Sequence, residues 1–347
     1  MKKPTIQDLA TRSGLSPATV DRVLHERPGV SVSARRKVRE AIHELGFGRL
    51  PTRLAAEAKP HLHLVFLMPS LKTGFVTNLE RAIYGAALAE RALDVAVEIR
   101  SISLSFDDIV EALENVDPTN CDGVGLFAAD TPIVREAINH VSDLGVPVVT
   151  LVSDCPKSRH LGHVGIDNTA AGRTVGRLMG RFLGAASGKI GVITGTIALR
   201  DHMERYFGFR QVLSRDYRHL HILPFVETHS IAARNREAVI DLLSDHPDVV
   251  GLYSIAAGNS GILAGLRDCD GPKKPVVIAH ELTNATRRGL LGGDFAAVVG
   301  QDPDALATRA IRLLTSGHLN DGQDIPIAEI GAGIYLAENL PERMNYS

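Results

Sequence analysis

From residue 61 to about residue 315 the chain alternates short apolar runs with amphipathic stretches of helical period. Such alternation builds parallel sheets, because each helix carries the chain back to the start of the next strand, and helices cover both sheet faces. Strands are predicted at Leu62–Met68, Val95–Ile99, Gly123–Phe127 and Val146–Val152, with helices at Asn78–Arg91, Asp107–Leu113 and Ile133–Leu144 between them. A second set begins with strand Val164–Ile166 and helix Thr169–Leu183. It continues through strands Ile190–Thr194, Leu220–Val226, Val249–Tyr253 and Val276–Ala279 and helices His202–Arg215, Ala232–Ser244, Gly261–Arg267 and Asn284–Leu291. Ala296–Gly300 and Pro303–Thr315 add a strand and a helix, and Ile325–Leu336 a last extended segment. Two such sets imply two similar doubly wound α/β lobes.

The first 47 residues read differently, as an all-α head. Thr5 caps a first helix with Asp8 in its opening turn, near the positive end of the helix dipole. Ile6, Leu9 and Ala10 form its apolar face, and Gly14 sits where that helix must end. Ser16 caps a second helix with Pro17 at its first position, where a missing N–H costs nothing. Val20, Val23 and Leu24 turn back onto the first helix, and a third is predicted from about Val32 to Leu45, stopped by Gly46. This is helix–turn–helix spacing, in which the start of the second helix meets base edges in the major groove of double-stranded DNA. Pro17, Ala18, Asp21, Arg22 and His25 lie on or near the outer face. Arg22 is the candidate for bidentate contact with a guanine, and Thr5, Ser16 and Thr19 suit phosphate oxygens.

Charge separates the same two regions. Residues 1–60 carry 12 Lys and Arg against 6 Asp and Glu, whereas the remainder carries 26 against 34. A basic head on an acidic body is the footprint of a chain that holds DNA at one end. Residues 48–60, rich in Ala, Arg and Pro, form the linker. The three cysteines, Cys121, Cys155 and Cys269, have no paired spacing, which speaks against a disulfide scaffold or a zinc site and for a reducing cytoplasm. Neither a signal peptide nor an apolar run long enough to span a membrane is present, so no membrane partner is expected.

Ligands of open α/β sheets bind beyond the carboxyl ends of the strands. The residues just past successive strand ends are Phe75, Val76 and Asn78, then Asp130, then Arg200, Asp201, His202 and Arg205. Asn259, His280 with Glu281, and Gln301 with Asp302 complete the set. Carboxylates, amides and arginine, with few apolar groups, suit a neutral polyhydroxylated ligand, because each hydroxyl both donates and accepts. From this set Phe75, Asn78, Asp130 and His202 are taken as ligand-binding, and Asp302 as the cap of the next helix.

The run from Thr5 to Phe47, with A-T-V-D-R-V-L at 18–24, R-P-G-V-S at 27–31 and E-L-G-F at 44–47, resembles the LacI family of bacterial transcriptional regulators. G-I-D-N at 165–168 and A-A-G-R at 170–173 extend the likeness over the body. The resemblance implies that Pro17, Ala18 and Arg22 read operator bases. It also implies that Arg205 (before Gly208-Phe209), Asn259, Glu281 and Gln301 contact effector. The body would be two lobes of type 1 periplasmic-binding-protein architecture that close on the effector. The chain would cross between them near 160, 290 and 322, giving an N-lobe of about 61–160 plus 292–322 and a C-lobe of about 161–291 plus 323–347. The sequence departs from the family at Asp21, where a small hydroxyl residue is usual beside the phosphates and an acid would be repelled. It departs again in the linker, where the spacing from Pro51 puts Ala58 at the position of the leucine that wedges into the minor groove. Leu54 is the large apolar residue available for that role.

Other chemistry finds little support. His61-x-His63 and His219-x-His221 lack a third ligand of suitable spacing, Gly191-x-x-x-Gly195 lacks the rest of a phosphate loop, and G-x-S-x-G does not occur. A solute-binding protein with an incidental basic head, or a sugar- or nucleoside-processing enzyme on the same body, are the competing readings. The favoured one is a DNA-binding repressor in the cytoplasm, without catalysis, cofactor or metal. It acts as a homodimer, since two heads must meet a pseudo-palindrome. The absence of a leucine heptad before Asn345-Tyr346-Ser347 points to a dimer rather than a tetramer.

Overall fold

The computed structural model describes residues 4–25, 27, 30–45, 47, 61–269, 274–318 and 330–342. The head and the body are separate compact units.

In the head, α1 (Ile6–Ser13) opens with a reciprocal cap. Thr5 Oγ1 accepts from the Asp8 amide at 3.3 Å, and the Thr5 amide donates to Asp8 Oδ2 at 2.7 Å. Gly14 closes the helix at φ 68°, a conformation that glycine adopts without steric penalty. Ser16 caps α2 (Pro17–Leu24) by accepting from the Thr19 amide, and α3 (Val32–Leu45) comes next. Leu9, Ala10, Val20, Val23, Val38, Ala41 and Ile42 form the buried centre.

The N-lobe runs β1 (His61–Pro69), α4 (Gly74–Ala89), β2 (Asp94–Ile102), α5 (Phe106–Glu114), β3 (Gly123–Leu126), α6 (Pro132–Asp143), β4 (Val148–Leu151) and β5 (Gly162–Val164). The sheet order is β2-β1-β3-β4-β5, and the register given for β1–β3, β3–β4 and β4–β5 is parallel. The C-lobe runs α7 (Asn168–Leu183), β6 (Gly188–Thr194), α8 (Arg200–Asp216), β7 (Leu220–Ile222), β8 (Val226–Glu227), α9 (Ala232–Asp245), β9 (Val249–Ser254), α10 (Asn259–Asp268), β10 (Val276–His280), α11 (Asn284–Leu291) and β11 (Ala297–Gly300). Then α12 (Pro303–Thr315) returns to the N-lobe and β12 (Gly333–Tyr335) to the C-lobe, whose sheet order is β12-β11-β10-β9-β6-β7. The strand expected over Leu220–Val226 is two short pieces, both paired with β6.

Burial on both faces explains the continuous apolar runs. In β11, Ala297 and Val299 face Val175, Met179 and Phe209 of α7 and α8, while Val298 faces the α9–α11 side. The lobe boundaries need correction. The strand near Val164 pairs with β4, so the first crossing comes after Val164 rather than at residue 160. The strand Ala297–Gly300 pairs with β10, so the second crossing comes after Gly300 rather than at residue 290. Only α12 belongs to the N-lobe core, through Leu306, Ala307, Ala310, Ile311 and Leu314. The third crossing, expected near 322, lies outside the described residues, as do the stop at Gly46, the first part of the extended segment 325–336 and the terminal residues 345–347.

Candidate functional site

The carboxyl ends of strands from both lobes open onto one cavity of about 590 Å³. Phe75, Leu104, Phe127 and Val152 reach it from beyond β1, β2, β3 and β4. Asp201, His202 and Arg205 reach it from α8, Ser230 from the start of α9, Ala256 from beyond β9 and Glu281 from beyond β10. An adjoining hollow of about 420 Å³ takes in Asn78, Asn259, Thr283 and Arg288. Four non-glycine residues have positive φ among the described residues: Val152 (64°), His229 (54°), Ser230 (61°) and Glu281 (66°). All four line the cavity. Strained backbone of this kind persists where the surroundings over-determine it, and it clusters at ligand clamps.

Arg205 is the centre of the C-lobe wall. It is 2 % exposed, donating from Nε to Asn168 Oδ1 at 2.8 Å, from Nη1 to the Ile255 carbonyl at 3.1 Å and from Nη2 to Glu281 Oε1 at 3.1 Å. It reaches this place because α7 and α8 touch backbone to backbone. A Cβ on Gly172 would stand 2.0 Å from the Arg205 carbonyl oxygen, and one on Gly208 would stand 2.1 Å from that of Thr169. Glu281 also accepts from Gln301 Nε2 at 3.0 Å and from the Gln301 amide at 3.3 Å. Burial pushes the Glu281 carboxyl above the usual carboxylate range, and Arg205 and the Gln301 donors pull it partway back. Asn259 accepts from Ser254 Oγ at 2.7 Å and donates to the His280 carbonyl at 3.0 Å. Behind it, Tyr253 Oη and His280 Nε2 are 2.8 Å apart, and complete burial keeps the His280 imidazole neutral, well below the usual 6.5. The ends of β9, β10 and β11 are thus tied into one polar network.

The predicted ligand residues divide accordingly. Phe75, His202, Arg205 and Glu281 line the main cavity, and Asn78 and Asn259 the adjoining hollow. Asp130 and Gln301 line neither. Asp130 is paired with Arg135 at 2.5 Å and with Arg200 of the opposite lobe at 3.5 Å, and Gln301 lies behind Glu281. Asp302 caps α12 as expected, accepting from the Asp304 and Ala305 amides. The expectation of few apolar groups is wrong for the N-lobe wall, where Leu71, Leu104, Phe106 and Phe127 join Phe75. These residues stand just past strand ends as the others do, and a reading restricted to polar side chains misses them.

In the head, Thr5, Ser16, Pro17, Ala18 and Arg22 are exposed and Thr19 is half-buried. The Thr5 hydroxyl is already engaged with Asp8 Oδ2 at 2.7 Å, and that of Ser16 with Thr19 Oγ1 at 2.8 Å. Asp21 is paired with His25 Nε2 at 3.3 Å and with Arg27 at 3.5 Å, so its charge is partly compensated where the sequence suggested bare repulsion. Leu54 and Ala58 lie outside the described residues.

Comparison with known proteins agrees with both parts. The periplasmic binding protein domain family matches residues 64–317, and the family of bacterial regulatory proteins, lacI family, matches residues 5–49. The ribose import binding protein RbsB of Escherichia coli is 24% identical over 70% of this chain and 77% of its own. The HTH-type transcriptional regulator GntR of Pseudomonas aeruginosa is 26% identical over 72% of this chain and 71% of its own. Among solved structures, a solute-binding protein from Burkholderia graminis in complex with D-arabinose superposes with TM-score 0.74 at 21% identity, over 83% of this chain and 99% of that one. A chain with this body and this head defines a class, the ligand-responsive DNA-binding regulators. The protein belongs to the lacI family of bacterial transcriptional regulators, with a periplasmic-binding-protein domain as its body.

Proposed function

We propose that the protein is a homodimeric repressor in the cytoplasm whose operator affinity is set by a small sugar or polyol held between the lobes. The observation that carries the reading is the cavity itself: both lobes line it, at their strand ends, with a hydrogen-bonded C-lobe wall and strained backbone at its edge. The names of two similar proteins, one a ribose import binding protein and one solved with D-arabinose, favour a carbohydrate effector. Phe75, His202, Arg205 and Glu281 are the contacts in the cavity, and Asn78 and Asn259 approach from the adjoining hollow. Arg22 reads a base, with Pro17 and Ala18 beside it, and Ser16, Thr19 and the helix N-termini meet phosphates. Coupling of about 1–3 kcal/mol links cleft and operator.

A thermal-shift screen of sugars, polyols, sugar acids and purines tests the effector class. A ligand at about 100 times its Kd stabilises by about 2.7 kcal/mol, and a blank on folded protein rejects the reading. For the head, DNA selected from a random pool by the intact protein supplies the operator. Arg22→Ala should lose about 1–3 kcal/mol of preference for it while keeping salt-dependent nonspecific binding. Unchanged preference would remove Arg22 from base readout.

A further inference from the structure

Resting on the cleft reading above, we infer that the hollow beside the main cavity is an oxoanion subsite, so that the effector is a sugar or polyol ending in a carboxylate or phosphate. The two spaces share Phe75, Ser230, Ala257 and Glu281 as lining, so one molecule can occupy both. In the hollow, Asn78 is 3 % exposed, and its amide hydrogen-bonds to none of the described residues. Unlike Gln301 Oε1, that amide is not sealed inside the protein, so it is open to the hollow. A buried polar side chain is ordinarily paired, and here the partner must come from the hollow.

The charge of the hollow decides which group that is. Helices α8, α9 and α10 start without a side-chain cap. In α8 the first turn holds Asp201, whereas α9 and α10 have no acid there. The cap residues of α9 and α10, Ile231 and Gly258, have no side-chain acceptor to offer. The two starts are adjacent, because a Cβ on Gly261 would collide with the Ala232 carbonyl oxygen. Ala232, Asn259 and Ser260 line the hollow, and none of the described groups accepts from their amides. Each helix start carries about half a positive elementary charge and aims N–H groups at whatever sits before it. Arg288 of α11 lines the same space, exposed and without an ion pair among the described residues. Lys72 is there too, held by Glu80 at 2.5 Å. Among the described residues the one carboxylate of the lining is Glu281, which is already bonded to Arg205 and Gln301. The donors left over are of one sign, and a carboxylate or phosphate accepts from several of them at once through charge-assisted bonds, as a hydroxyl does not.

The test titrates the full-length protein by calorimetry with D-glucose, D-gluconate and D-glucose 6-phosphate, and with D-arabinose, D-arabinonate and D-arabinose 5-phosphate. At least one anion should bind wild type about tenfold tighter than its neutral parent, and the tighter anion tells carboxylate from phosphate. Two variants at exposed positions, Arg288→Gln and Ser260→Asp, should each cut that anion-to-neutral ratio about tenfold. Ser260→Asp should at the same time melt no lower than wild type, since an acid in the first turn compensates the start of α10. Anions that bind no tighter than their neutral parents, or a ratio unchanged in both variants, overturn the proposal, while the carbohydrate reading of the cleft survives. If no sugar probe binds, the carbohydrate reading fails, and inorganic phosphate decides the subsite. At millimolar concentration it should raise the melting temperature of wild type more than that of either variant, and an equal shift in all three overturns the proposal.

Discussion

The two walls of the cavity are built from different chemistry. On the N-lobe side, Leu71, Phe75, Leu104, Phe106 and Phe127 present mainly apolar surface, with Leu71 45% and Phe106 42% exposed. On the C-lobe side, Arg205 and Glu281 line the cavity, and they and the Gln301, Asn259 and Asn168 side chains that support that wall are each nearly fully buried and bonded to one another or to strand-end carbonyls. Apolar contact is non-directional, so the N-lobe wall can cover a ligand and exclude water without fixing its orientation. Hydrogen bonds are directional and costly to leave unmade, so the C-lobe wall discriminates between ligands and also holds the lobe together. One wall should therefore tolerate change with loss of affinity only, while the other should lose stability as well.

The strongest attempt to break that contrast is Arg205→Met. It strands the Glu281 carboxylate in the interior, and truncating one partner of a buried pair costs about 3–5 kcal/mol. Urea unfolding should show that loss together with loss of the effector response. A change below about 1 kcal/mol would mean that the C-lobe wall is not structural. Asn259→Ala should cost about 1–3 kcal/mol, because Ser254 Oγ loses its acceptor and the His280 carbonyl loses a donor. Operator binding should persist in that variant without response to effector.

Acidification probes the same wall. His280 is kept neutral by complete burial, and burial also lowers His163 in β5. For a group with a depressed folded value, stability is present above the unfolded value of about 6.5 and is lost as pH falls through the folded one. Melting temperature should decline from pH 7 toward pH 5, less steeply in His280→Gln, with the remaining slope belonging to His163. A variant as steep as wild type would exclude His280 as the cause. The smallest effect on stability is expected in the N-lobe wall. Phe106→Ser at an exposed position should change unfolding by no more than about 0.5 kcal/mol while weakening effector binding. A large destabilisation would erase the contrast between the walls.

Much of this was legible because the signals are local. Thr5 with Asp8, Gly14, and Ser16 with Pro17 mark helix ends through groups within four residues of one another, and the structure uses each of them. Alternation of apolar strands and amphipathic helices requires parallel sheets wherever the chain lies in space. The lobe to which a strand belongs is another matter. Gly162–Val164 and Ala297–Gly300 are apolar or neutral runs that fit either sheet, and only pairing with β4 and β10 assigns them. The same limit applies to side chains. Arg205 and Glu281 occupy strand-end positions that the sequence marks. Asp130 does too, yet it turns to Arg135 and to Arg200 across the lobe boundary.

By itself, then, the sequence determined a basic helical head, an α/β body of two lobes and the strand ends where a ligand would meet it. These come from periodicity, capping chemistry and charge, which act between near neighbours. Tertiary structure alone decided which strand ends converge, which polar groups satisfy one another and which are left without a partner. Arg205 binds residues 37, 50 and 76 positions away, and Asp201 Oδ1 binds none. Hydrogen bonds act only over short distances in space, and the distance in space between residues so far apart in sequence is set by the packing of the whole lobe.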